Sequence, residues 1–101
     1  MMLHTINKSP FERNSLDSCL RLATKGSAIL FFEDGVYAAL KGTKMAATVS
    51  AAIADHPVYV LGADLAARGY GEDALIEGIK VVDYGGFVDL TVEYDKVQAW
   101  V

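Results

Sequence analysis

Apolar and polar positions run along this chain in blocks, and the spacing within each block predicts an element. Leu3 to Asn7 alternates as a short strand does. Leu16, Cys19, Leu20 and Ala23 then recur at i, i+3, i+4 and i+7, which lays one apolar stripe along a helix. Two starts fit this helix. Ser9, Pro10 and Glu12 make a capping box with proline at the first helical position, while Asn14 with Asp17 offers a rival start one turn later. Gly26 supplies the stop, so the helix predicted by the first start covers Ser9 to Gly26.

Ser27 to Phe32 is a continuous apolar run, the pattern of a strand covered on both faces, and Glu33-Asp34-Gly35 ends it. Val36 to Leu40 predicts a short helical turn closed by Gly42. From Thr43, the shared face of Met45, Val49, Ala52 and Ile53 predicts a helix that His56-Pro57 stops. Val58 to Leu61 and Ile79 to Asp83 predict two further strands, with short helical pieces over Asp64 to Arg68 and Glu72 to Glu77 between them. Tyr84-Gly85-Gly86 reads as the end of the fourth strand. Phe87 to Tyr94 is balanced: Phe87, Leu90 and Tyr94 share a helical face, yet Thr91, Val92 and Tyr94 favour strands. Val97 to Trp100 predicts a final strand.

Strands alternating with helices at this spacing predict an α/β fold of the flavodoxin-like kind, a mainly parallel sheet of five strands with helices on both faces. Nothing in the sequence reads as a linker or an internal repeat, so residues 1–101 are expected to form one domain.

Composition changes this picture in one respect. Hydrophobic residues other than the five tyrosines, counted together with the nine glycines, number 57 of 101, against ~45–50% on that set in ordinary domains. A domain this small has too much surface to hide such a surplus by itself, so association with other subunits is expected. The net charge of −4 argues against a nucleic-acid binder, which needs a basic face. The charge is uneven: residues 1–50 carry six Lys/Arg against four Asp/Glu, and residues 51–101 three against nine. No signal-peptide pattern opens the sequence and no apolar run approaches ~18 residues, so a cytoplasmic protein without a membrane span is expected.

Candidate chemistry is sparse. Ligands of open parallel sheets meet the carboxyl ends of the strands, which here carry Asn7, Glu33-Asp34, Gly62 and Asp83-Tyr84, a polar and acidic rim without a GxGxxG or P-loop. Glu33 and Asp34 are neighbours on a strand end and point apart, which disfavours an acid/base pair. His4 and His56 lack metal-ligand spacing to each other or to Cys19, so no metal and no cofactor is expected. Cys19 is the single cysteine, which excludes an internal disulfide. On an apolar helical stripe it is either a small buried hydrophobe or a thiol at a subunit seam or pocket, able to receive sulfur or join a mixed disulfide. Arg21 and Lys25 lie on other helical faces, and a Cys-His pair would need His4 or His56 close in space.

Leu3-His4-Thr5, Lys8-Ser9-Pro10-Phe11, Glu33-Asp34-Gly35-Val36, Asp64-Leu65 with Ala67-Arg68-Gly69, Val82-Asp83-Tyr84 with Phe87-Val88-Asp89-Leu90-Thr91, and Gln98-Ala99-Trp100 together resemble the DsrH/TusB family of sulfur-relay subunits over essentially the whole chain. The resemblance implies a heterohexamer with DsrE/TusD-like and DsrF/TusC-like subunits that passes persulfide sulfur, with a DsrC/TusE-type protein as acceptor, and no direct contact with nucleic acid. Within Ser15-Leu16-Asp17-Ser18-Cys19-Leu20, Cys19 matches the cysteine of DsrH-type members, which implies a role in dissimilatory sulfur oxidation. The alternatives are a TusB-type subunit supporting 2-thiouridine formation at the tRNA wobble position, or a structural subunit through which no sulfur passes. The principal sulfur-carrying cysteine of the family belongs to the DsrE/TusD-type partner.

Overall fold

The computed structural model describes all 101 residues, Met1–Val101. Five strands, β1 (Met2–Ile6), β2 (Ala28–Phe31), β3 (Val58–Leu61), β4 (Lys80–Val82) and β5 (Lys96–Trp100), form one sheet in the order β4-β3-β2-β1-β5. Every pairing is parallel, with Leu3 beside Ala28 and Val97, and Ile29 beside Val58. Helices α1 (Ser15–Leu22), α2 (Ala46–Ala52), α3 (Gly62–Ala67) and α4 (Tyr84–Glu93) connect them, with 3₁₀ turns at Glu33–Ala39 and Glu72–Ala74. The expected α/β class, parallel sheet and strand count are all present.

Alternation along the strands splits the core in two. Ile6, Ile29, Phe31, Val58 and Val60 point to one face, where they pack against Leu16 and Cys19 of α1, Val49 of α2 and Leu65 of α3. Leu3, Ala28 and Leu30 point to the other, where only Leu90 of α4 joins them as a fully buried partner. Three helices cover the first face and one covers the second. The second face is therefore thin, and the outer side of its helix stays apolar: Tyr84, Val88 and Val92 are 63%, 58% and 79% exposed.

Two helix starts differ from the first expectation for physical reasons. Ser9 does cap a turn, its Oγ accepting from the Phe11 N–H at 3.2 Å and its carbonyl from Glu12 and Arg13. That turn is not continued, and α1 begins at Ser15 with Asn14 before it, so the later of the two starts is the one used. Helix α1 ends at Leu22, and Gly26, at φ 94°, serves the turn into β2 instead of the helix stop. The segment Phe87 to Tyr94 is helical, and the helix begins earlier, at Tyr84. The Asp83 carboxylate accepts from the Gly86 N–H at 2.7 Å, so Tyr84-Gly85-Gly86 is the first turn of α4 and not a strand end. With that cap in place, Phe87, Leu90 and Tyr94 pack as one stripe on the sheet, outweighing the strand preference of Thr91 and Val92.

Candidate functional site

Cys19 sits midway along α1 on the stripe its spacing predicted, and that stripe lies against the sheet. The residue is 0% exposed and belongs to the main core with Ile6, Leu16 and Ile29. It lines none of the surface grooves of the chain. Burial pushes its thiol up from 9.0 to about 12, and no charged neighbour contributes. Within the isolated fold it is a neutral thiol sealed from solvent, whereas sulfur transfer needs a thiolate that a second thiol can reach.

Neither histidine serves Cys19 as a base. His4, on β1, accepts through Nδ1 from the Trp100 indole N–H at 3.0 Å, which leaves its proton on Nε2. Its pKa is lowered, first by burial and then by the nearby His56. The Nδ1 of His56 lies 2.8 Å from the Ser27 carbonyl oxygen and donates to it. Both rings are structural links, one tying β1 to β5 and the other tying the start of β3 to β2.

The carboxyl rim of the sheet gathers more polar chemistry. Glu33 adopts φ 48°, the left-handed region that only glycine enters freely. Its N–H donates to Asp64 Oδ2 at 2.6 Å, and its carboxylate accepts from Asn7 Nδ2 at 3.4 Å. Gly35 lets this turn lie on β1, because a Cβ there would collide with the Ile6 carbonyl oxygen. Asp34 goes elsewhere, as expected of adjacent residues: Arg68 reaches its Oδ1 with Nε at 3.1 Å and Nη2 at 2.8 Å, and gives Nη1 to the Asp64 carbonyl. The Asp34 hydrogen bond raises the Arg68 pKa above its ordinary value. The Asp64 carboxylate, in the first turn of α3, thus meets the Glu33 backbone at the start of the 3₁₀ turn, while Asp34 is neutralised by Arg68.

Beside those two carboxylates runs an apolar groove of about 390 Å³ walled by Phe32, Leu61, Phe87 and Val88. Phe32 and Phe87 meet edge to face with ring centres 5.8 Å apart, which ties the end of β2 to α4. Glu33 was visible in the sequence as part of a polar rim, but the groove was not. Its walls come from the ends of two strands and from the first two turns of α4, where the sequence reading has a strand end at Tyr84-Gly85-Gly86 and a segment balanced between helix and strand from Phe87. The Asp83 capping position, three residues before Gly86, is the signal from which the helix start could have been read.

The family model described as DsrH like protein matches residues 8–97. The protein TusB of Pectobacterium parmentieri is 38% identical over 99 residues, spanning 98% of this chain and 100% of the relative. The protein TusB of Escherichia coli K12 is 36% identical over 99 residues with the same coverage. Among solved structures, the YchN protein of E. coli superposes with a TM-score of 0.86 over 97% of each chain at 23% identity. A protein of unknown function from Methanobacterium thermoautotrophicum, MTH1491, gives 0.73 over 96% of each chain at 19%. At those identities the structural likeness speaks for the fold alone.

Proposed function

Because the chain belongs to the DsrH/TusB family of sulfur-relay proteins, we propose that it is a TusB-type subunit of a cytoplasmic relay supporting 2-thiouridine formation at the tRNA wobble position, and that it shapes the complex without carrying sulfur itself. Its partners in this reading are TusC-like and TusD-like sister chains in a heterohexamer, with the TusD-like chain holding the working cysteine and a TusE-type protein receiving the sulfur. The observation that carries the non-carrier part is the state of Cys19, 0% exposed with a thiol held up at about 12. The pathway part rests on whole-length relatives named TusB. The match of Cys19 to DsrH-type members had favoured sulfur oxidation, but a cysteine that fills core space is a weak marker of pathway. The exposed apolar side of α4 supports a permanent subunit.

The test is to load the assembled complex with a persulfide donor and weigh each chain. This chain should keep its unmodified mass while a sister chain gains one sulfur atom, and Cys19→Ala should leave transfer to the acceptor unchanged. A gain of one sulfur on this chain that disappears in Cys19→Ala would establish the carrier role and overturn the non-carrier reading.

A further inference from the structure

We infer that the groove between the β2 and β3 ends and α4 is the seat for a lysine or arginine side chain presented by an apolar, basic-rimmed face of a sister subunit. The inference rests on the relay-subunit reading for its choice of partner, and on three features of the groove for the chemistry. Its walls are apolar, formed by Phe32, Leu61, Phe87 and Val88, and suit the methylene stem of a long side chain. Its rim holds Glu33 and Asp64, and neither carboxylate has an ion pair in the chain, whose salt bridges are Met1 to Asp95, Lys25 to Asp55 and Arg68 to Asp34. Arg68, whose charge reaches Asp64, has its donors committed to the Asp34 carboxylate and the Asp64 carbonyl. Glu33 therefore has no cation, and Asp64 has only Arg68, whose charge Asp34 already neutralises. An incoming ammonium or guanidinium would find two carboxylates, and the exposed Tyr84 ring at the same groove adds a cation–π face.

The groove also opens onto a larger strip. Tyr84 and Val88 belong to both, and Val92 continues the line along α4, about 12 Å of helix from Tyr84 to Val92 at ~1.5 Å per residue. Exposed Asp89 and Glu93 flank that strip. A second copy of this chain seated strip to strip would set acidic rims against each other. A different chain with basic residues around an apolar centre meets every feature, which is why a sister subunit and not a self-dimer is the occupant.

The experiment is reconstitution of the complex from this full chain and its TusC-like and TusD-like sister chains, followed by sedimentation at low and high salt. The wild-type complex should form and should weaken as salt rises. Asp64→Lys should loosen it at least about tenfold and flatten the salt dependence. Val88→Asp should loosen it comparably, and since Val88 is 58% exposed this variant keeps its fold, which circular dichroism checks. Exchange of one lysine or arginine of the sister chain for glutamate should restore the Asp64→Lys complex. A wild-type complex that forms and is unmoved, within about twofold, by both substitutions would overturn the groove assignment and leave the family reading standing. Failure of the wild-type chains to associate at all would overturn both.

Discussion

Alkylation of Cys19 in the isolated chain gives a direct measure of the burial on which the functional reading turns. Iodoacetamide reacts with thiolate and not with thiol. Moving the thiol from 9.0 to about 12 lowers the thiolate fraction at neutral pH about a thousandfold. Access is a second barrier, because a residue at 0% exposure beneath α1 is reached only when the helix lifts or the domain unfolds. For a small domain of ~5–15 kcal/mol stability, global opening is populated at ~10⁻⁴ or less. The two factors are not multiplied, since in the open state the thiol regains its ordinary pKa. Reaction through opening therefore dominates, and the native rate should be the unfolded rate times the open fraction, slower by at least about a thousandfold. Intact mass against time, in buffer and in strong denaturant, gives the ratio. Sub-denaturing urea should raise the native rate in step with the loss of stability. A native rate within about tenfold of the denatured one would refute the core placement and return Cys19 to the set of candidate carriers.

Two further outcomes follow from the same geometry. In alkali, the unfolded chain loses its Cys19 proton from 9.0 upward while the folded chain keeps it to about 12. The stabilisation is therefore whole below 9 and is lost as pH rises between these values, at about 1.4 kcal/mol per pH unit. Urea midpoints measured from pH 8 to 11 should fall less steeply in Cys19→Ala than in wild type, and equal slopes would contradict the assignment. At the start of α4, Asp83→Ala removes the acceptor for the Gly86 N–H and should cost ~1 kcal/mol, with Asp83→Asn recovering most of it. Denaturation midpoints report both, and an Asp83→Ala midpoint equal to wild type would show that the cap is dispensable.

The parts of this fold that local spacing encodes were legible in the sequence. The runs at Ala28–Phe31 and Val58–Leu61 announce strands buried on both sides, and the recurrence of Leu16, Cys19 and Leu20 announces the face that α1 turns to the sheet. Boundaries were less legible wherever a residue serves two local structures equally well. Ser9 caps a turn as readily as a helix, and the glycines after Asp83 suit a loop as well as a first helical turn. The groove was hidden because its parts lie far apart along the chain. Glu33 meets Asp64 across 31 residues and Asp34 meets Arg68 across 34, so no window of sequence holds either pair.

Cys19 shows where periodicity stops being informative. Spacing places it on the apolar stripe, but a stripe can face a sheet or a neighbouring subunit, and the two differ only in what lies opposite. Three helices cover the face on which α1 turns Cys19 inward, so the thiol itself is out of a partner's reach, although Leu22 on the same helix is exposed. On the other face a single helix spans the sheet and exposes a continuous apolar line, Tyr84, Val88 and Val92. That line and the lone thiol are on opposite sides of the sheet. The expectation that sister subunits cover the apolar excess and that the thiol opens into their seam meets a chain that, by itself, keeps Cys19 within its own core. With the sister subunit seated on α4 as proposed, assembly and the cysteine are independent, so variants at Cys19 should report on folding and variants along α4 on assembly.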